Sequence, residues 1–168
     1  AAVSINKVTT NQTAYIGDAT ITGRHVDVSA TMPVDKSHEY KAWALAAGGG
    51  GDNGAAGSVA IVLGDTNTTA YIAAGADITT TGNMNVIALA NIGIQNVAGG
   101  AGIGEDVGVG AAVALNIINT NTNVYIAAAD VDVDDQLAVK ADTNITPLGL
   151  DIPVIGTISL TSIAAGAG

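Results

Sequence analysis

One phrase occurs three times in this chain, and its spacing constrains the fold more than any other feature. The copies are TNQTAYIGDATI at 10–21, TNTTAYIAAGADI at 66–78 and TNTNVYIAAADV at 120–131. Aligned on Tyr15, Tyr71 and Tyr125, they stand 56 and 54 residues apart. A regular period of this length is typical of solenoids, propellers and repeat arrays, because one unit cannot bury its apolar face alone.

The similarity extends on both sides of the phrase as short runs with a period of two. Upstream lie AVSIN, VAIVL and AVALN, in which Val3 and Ile5 fall on one face and Ser4 on the other. Downstream, VDVSA, MNVIA and LAVKA each place three apolar residues on one side. Polar segments such as TTNQT and DTNTT separate the runs and are typical of turns. We therefore predict strands of roughly four to six residues. They belong to one domain, 1–168, with repeat units 1–57, 58–110 and 111–168.

This pattern favours an all-β fold, specifically a right-handed parallel β-helix (β-solenoid) of about six coils in three tandem repeats. Propeller blades would show hairpin signals, which are missing. One coil of about 20 residues fits between positions 14 and 30, so each unit is predicted to wind twice. An antiparallel sandwich also satisfies the alternation and is the structural alternative. In the solenoid, equivalent core residues would stack as ladders, two coils apart: Ile16, Ile72 and Ile126; Ile21, Ile78 and Val131; Val28, Val86 and Val139.

Composition narrows the classes of partner. The net charge is −10, with 5 Lys and Arg against 15 Asp and Glu, so nucleic acid is not an expected partner. No apolar run reaches the ~18 residues of a membrane span, so membrane insertion is not expected either. The absence of Cys excludes disulfides and thiolate metal sites. Aromatic residues make up only 3%, and a core of Ala, Val and Ile suits closely stacked layers.

The sequence contains no convincing catalytic or cofactor-binding set, and we predict neither an enzyme nor a cofactor. Ser37, His38 and Glu39 superficially supply a nucleophile, a base and a carboxylate, but neighbours in sequence rarely form a triad. β-Helix enzymes that cleave acidic polysaccharides gather basic residues on one sheet, whereas the 5 basic residues here are scattered. Clustered carboxylates can hold calcium, although alternation favours a solvated face for the acidic run Asp130, Asp132, Asp134 and Asp135.

Residues 33–57 differ most from their counterparts in the other units and contain the only Trp of the chain. Variation within a regular scaffold is where a specific surface feature is most often placed. We therefore predict a lateral binding surface for a sugar or a protein at His38, Tyr40 and Trp43. The simpler interpretation is that this aromatic pair covers an exposed flank of the coil.

The segment GVGAAVALNIINTNTNVYIAAADVDVDDQLAVKAD at 108–142, echoed at 58–90 and 2–31, resembles the repeat regions of giant secreted bacterial β-solenoid exoproteins. These are the filamentous-haemagglutinin-like and leukotoxin-like adhesins. The resemblance implies export to the bacterial cell surface and a structural and adhesive role in a long extracellular rod or fibre. It supplies no catalytic residues.

Strand edges exposed at both ends of such a rod predict end-to-end stacking with further copies or neighbouring repeats, giving filaments. A host-surface or matrix glycan or protein is the other expected partner. The first alternative is a solenoid that binds a glycan or ice surface through Thr and Asn, which requires those residues to lie on one planar sheet rather than in turns. A polysaccharide-cleaving β-helix enzyme is the less favoured alternative.

Overall fold

The structure, a computed structural model, describes residues 1–33, 35–127, 129–152, 156–159 and 162–167, with side chains up to residue 148. These residues form strands without any helix, so the described chain has no helix able to span a membrane. The all-β prediction is confirmed. The strands are β1 (Ala2–Ile16), β2 (Thr20–Gly23), β3 (Val26–Ala30), β4 (His38–Gly49), β5 (Asn53–Ile72), β6 (Asp77–Thr80), β7 (Met84–Ile103), β8 (Val107–Ile126), β9 (Asp130–Val133), β10 (Leu137–Pro147), β11 (Gly149–Ile152), β12 (Gly156–Ser159) and β13 (Ser162–Ala167).

Most of these strands form three parallel sheets, which we call front, side and back. The front sheet has the order β1-β5-β8, and the side sheet has the order β2-β6-β9. In the back sheet, β7 is central, with β3 and β4 along one edge and β10 and β13 along the other. Strands β11 and β12 form a separate antiparallel pair. Parallel pairing throughout the three sheets does not fit the antiparallel sandwich.

Every strand of the front sheet pairs with its counterpart in the next repeat. Tyr15 lies opposite Tyr71, and Tyr71 lies opposite Tyr125. Equivalent residues are therefore direct neighbours, and the prediction that they lie two coils apart is wrong. Each repeat contributes one layer, which makes three layers instead of six, with a stack height of about 15 Å. The predicted unit boundaries after residues 57 and 110 fall inside β5 and β8.

The strands are also longer than predicted, and this explains the layer count. Strands β5, β7 and β8 each contain 20 residues. The expected turns TTNQT and DTNTT lie inside β1 and β5, where their outward side chains stack on the next strand instead of turning the chain. Asn67, for example, donates a hydrogen bond from Nδ2 to Oδ1 of Asn11 at 3.1 Å. A polar, turn-like composition is compatible with a strand when identical residues stack in register.

The core lies between the sheets and consists mainly of small and β-branched side chains. One cluster joins the back, side and front sheets around Ile72, Ile78 and Val86, all of which are fully buried. Their ladder partners in the outer layers are mostly half-buried, except for Val28, which is buried, and Val139, which is 49% exposed. Val139 and Val28 lie on opposite edge strands of the back sheet, β10 and β3, and only Val139 is open to solvent. A second cluster joins the front and back sheets around Tyr40, Val62 and Ile92.

Glycine allows the front and back sheets to meet at one edge of the stack. A Cβ atom on Gly102 would lie 2.6 Å from both the carbonyl oxygen of Gly54 and the backbone nitrogen of Val109. A Cβ atom on Gly48 would overlap the carbonyl oxygen of Ala55 in the same way. Real Cβ contacts are longer than this, so only glycine fits where the two backbones touch. The front and back sheets therefore converge toward the turns that join the back sheet to the front sheet, and, among the described residues, no core lies between them there.

Candidate functional site

The outward side of the front sheet, which we call the front face, presents a regular array of side chains. Side chains alternate along each strand, so odd-numbered residues of β1, β5 and β8 point outward. Because the three strands pair in register, these residues form straight columns across the sheet. The face carries two charged residues, Lys7 and Asp65, in a chain with a net charge of −10.

One half of the front face is apolar, and we call it the apolar half. Its columns are Val3–Val59–Val113 and Ile5–Ile61–Leu115, extended by Leu63 and Ile117. Among the described residues, nine of the fifteen exposed large hydrophobic side chains belong to the strands of this sheet. Ile5, for example, is 62% exposed. The larger apolar residues of AVSIN therefore point to solvent, and the small residues Ala60 and Ala114 point inward. A contiguous apolar patch of this kind typically marks an interaction site.

A shallow groove runs beside the valine column, and we call it the small-residue groove. Its floor is the column Ala1–Gly57–Ala111, and the valine column forms one wall. The groove has a volume of about 260 Å³. A Cβ atom on Gly57 would meet nothing within 4 Å, so the groove is open space above the sheet.

The other half of the front face is polar, and we call it the polar half. It consists of nine side chains in three columns: Thr9, Asp65 and Asn119; Asn11, Asn67 and Asn121; Thr13, Thr69 and Asn123. Amide hydrogen bonds connect part of this array, including the one from Asn67 to Asn11 and one from Asn123 to Asn121 at 3.0 Å. The polar half is thus a regular array of hydroxyl and amide groups with one carboxylate, that of Asp65.

A row of three tyrosines ends the front face beyond the polar half. The ring centroids of Tyr15 and Tyr71 are 5.2 Å apart, and those of Tyr71 and Tyr125 are 4.9 Å apart. The rings are nearly parallel, with 9° between planes. Because each ring covers the face of the next, the row presents mainly ring edges and hydroxyl groups to a ligand.

The predicted lateral surface does not assemble, because its three side chains point in different directions. Tyr40 is 1% exposed and lies in the core, so its assignment to a surface is wrong. Its ring packs over Gly64 of the front sheet, and its hydroxyl group hydrogen-bonds with the hydroxyl groups of Thr10 (3.1 Å) and Thr66. Trp43 points outward, is 50% exposed, and donates from Nε1 to Oε1 of Gln95 at 3.0 Å.

His38 points to the same side of β4 as Tyr40 and is half-buried. Its Nε2 is buried without a hydrogen-bond partner among the residues that the structure describes, and burial lowers the pKa of the imidazole below its usual value of 6.5. Glu39 points outward and pairs with Lys41 at 2.5 Å. Because His38 and Glu39 lie on opposite sides of one strand, the triad suggested by the neighbouring Ser37 does not form.

The acidic run lies at the end of the side sheet. Asp130 and Asp132 are exposed residues of β9, and Asp134 and Asp135 follow in the next turn. In the part of the chain that the structure describes, no three His, Cys, Asp or Glu side chains are close enough together to hold a metal ion. This geometry gives no support to a calcium site.

Sequence reasoning missed the front face because it placed the turns inside β1 and β5. The available signal was the exact repetition of Asn11, Asn67 and Asn121 at one position of each copy, which is what a side-chain ladder on a sheet requires. Comparison of the chain with protein-family models, with curated proteins and with solved structures finds no match. The family resemblance, and the secreted location that it implies, therefore stay predictions.

Proposed function

We propose that this chain is a right-handed parallel β-solenoid and a structural, adhesive module of a longer extracellular rod, able to stack end to end into filaments. The observation that carries the proposal is the in-register parallel pairing of three similar layers, in which β1 and β8 each pair on one side only within the described residues. Right-handed connection follows from the strong preference of parallel crossovers for that hand.

The two ends of the stack are chemically compatible with each other. Strand β8 would pair with β1 of a second copy as β1 pairs with β5 within the chain. Continuing the register places Tyr125 against Tyr15, Asn121 against Asn11 and Val113 against Val3 of that copy. Each of these contacts repeats one already present between layers. The new copy would therefore extend the existing columns without a break.

The free edge of β1 exposes unpaired backbone groups over 15 residues. The carbonyl oxygen of Ile16 accepts a hydrogen bond from the Ala73 amide at 2.8 Å, so even-numbered residues of β1 direct their backbone groups toward β5. Backbone groups alternate along a strand, so odd-numbered residues such as Thr9 and Thr13 direct theirs toward the free edge. Charged side chains and proline are the features that usually prevent edge-to-edge pairing of strands. The edge strand β1 has one charged side chain, Lys7, and no proline.

Electron microscopy and sedimentation velocity of the purified chain test this proposal. We expect filaments with an axial repeat of about 15 Å per copy. The double variant with Thr9→Pro and Thr13→Pro, which we call the edge-blocked variant, removes two backbone N–H donors from the free edge of β1. It leaves the backbone hydrogen bonds between β1 and β5 in place. It should stop assembly, whereas Thr9→Ala with Thr13→Ala should leave it intact.

Circular dichroism must show that both variants keep the strand content of the parent chain. Equal assembly of the proline and alanine variants would contradict edge pairing, as would a parent chain that stays monomeric at all concentrations.

A second candidate is binding to a glycan or ice surface, and the polar half of the front face favours it. Such binding requires Thr and Asn on one planar sheet, and eight Thr and Asn side chains of the polar half share one side of the front sheet. Changing Thr13 and Thr69 to Lys would disrupt the array while keeping both positions polar. Loss of thermal hysteresis, or of co-sedimentation with a crystalline polysaccharide, would support this function. A parent chain without either activity would rule it out.

A further inference from the structure

We infer that the apolar half of the front face pairs with the same surface of a second copy, with the two β5 strands antiparallel. This lateral pairing differs from end-to-end stacking because it uses side chains of the face instead of strand edges. It therefore does not depend on the proposed function.

The shape of the face supports a second copy as the occupant. A twofold axis that lies between the two faces, parallel to the sheets and across the strands at the level of Ser58, brings the valine column of each copy over the small-residue groove of the other. The same axis places the Ile5–Ile61–Leu115 column opposite the column that contains Ala55 and Val109. On β5, large side chains thus meet small ones, Val59 over Gly57 and Ile61 over Ala55, as close sheet-on-sheet packing requires. On β8, Leu115 meets Val109 in an apolar pair.

The charge of the face supports the same occupant. A chain with a net charge of −10 repels its own copies in general. The apolar half escapes this repulsion because Lys7 is its one charged side chain, and the carboxylate of Asp65 lies at its boundary with the polar half. Two copies would therefore meet through this region of the front face with the least electrostatic cost.

The area of the apolar half determines the affinity that we expect between two copies. The columns between Asn53 and Leu63 span about 33 Å along the strands. The sheet is three strands wide from Gly57 to Leu63 and two strands wide before Gly57, which gives about 430 Å² per copy. A stable interface buries about 800 Å² per partner, so one pair of chains should associate weakly, in the micromolar range or above. End-to-end stacking would enlarge the face and strengthen the contact.

Sedimentation equilibrium of the edge-blocked variant tests the inference, since end-to-end stacking is suppressed there. We expect a concentration-dependent monomer–dimer equilibrium. Ile61→Thr should weaken the dimer at least tenfold by removing apolar contact. Thr69→Val, on the same strand and face but in the polar half, is the matched control and should leave the dimer unchanged.

Gly57→Val distinguishes pairing by shape complementarity from nonspecific hydrophobic association. It fills the small-residue groove, where a side chain meets nothing within 4 Å, so the fold should tolerate it. The fitted arrangement predicts at least tenfold weaker pairing, although the change adds apolar surface. Stronger pairing would overturn the inference, as would an edge-blocked chain that stays monomeric or an equal effect of Thr69→Val.

A spin label tests the orientation, because the chain has no native Cys. With Asp65→Cys labelled in the edge-blocked variant, antiparallel pairing places the two labels about 47 Å apart, from 14 residue steps and a sheet separation near 10 Å. Parallel pairing would place them about 10 Å apart. Only the long distance agrees with the inferred dimer.

Discussion

Gly64→Ala tests whether Tyr40 of the back sheet fills a space that the front sheet leaves for it. A Cβ atom on Gly64 would lie 2.5 Å and 2.7 Å from Cε2 and Cδ2 of Tyr40, and 2.8 Å from Cδ1 of Ile118. Overpacking of this kind costs about 1–3 kcal/mol. Replacing glycine within a strand recovers roughly 0.5–1 kcal/mol. We therefore expect a net loss of about 1–2 kcal/mol in the free energy of unfolding.

Thermal denaturation followed by circular dichroism measures this loss. For a chain of this size, the change corresponds to a Tm lowered by roughly 2–8 °C. Gly57→Ala is the matched control on the same strand, because its Cβ meets nothing within 4 Å, and it should be neutral or stabilising. In a Tyr40→Leu background, Gly64→Ala should lose most of its cost. A Gly64→Ala chain as stable as the parent, or an equal cost in both backgrounds, would refute the packing argument.

Three further changes follow from the core and its edges. Tyr40→Phe leaves the hydroxyl groups of Thr10 and Thr66 without their partner and should cost about 1–2 kcal/mol in urea denaturation; an unchanged midpoint would contradict this. Gly102→Ala should destabilise more than Gly51→Ala, whose Cβ meets nothing within 4 Å, and equal melting temperatures would be inconsistent with backbone contact. Because burial lowers the pKa of His38, stability should be fully present above pH 6.5 and decrease as the pH falls through the lowered pKa. His38→Phe should flatten that decrease in pH-dependent melting, and an identical profile would argue against it.

The repeat and the all-β class could be predicted from the sequence, but the strand lengths could not. Period-two runs and the three copies of the Tyr15 phrase indicate parallel stacking of similar units. The sequence predicts a turn at TTNQT because Thr and Asn are common in turns. In the structure, stacking of Asn11 on Asn67 keeps this segment in the strand. Residue propensities describe each strand by itself, whereas the stacking of Asn side chains depends on the adjacent strand.

The misplaced turns also hid which side of the chain faces outward. Val3 and Ile16 lie on the same strand but differ in parity, so they must point to opposite sides. Interpreted as two separate strands, both could belong to the core. The front face cannot be predicted from the sequence for the same reason. The inward direction of Tyr40 depends on the course of β4, so the prediction of a surface position for Tyr40 is wrong. The family resemblance identified none of these details.

The tyrosine row gives the molecule an optical reporter of its own order. Rings about 5 Å apart and nearly parallel couple electronically, so the near-ultraviolet dichroism of Tyr15, Tyr71 and Tyr125 depends on their mutual stacking. The fourth tyrosine, Tyr40, stands apart in the core, and one tryptophan supplies an internal intensity reference. If two copies join end to end, the row of three coupled tyrosine rings becomes a row of six. Near-ultraviolet dichroism would then follow polymer growth without an added label.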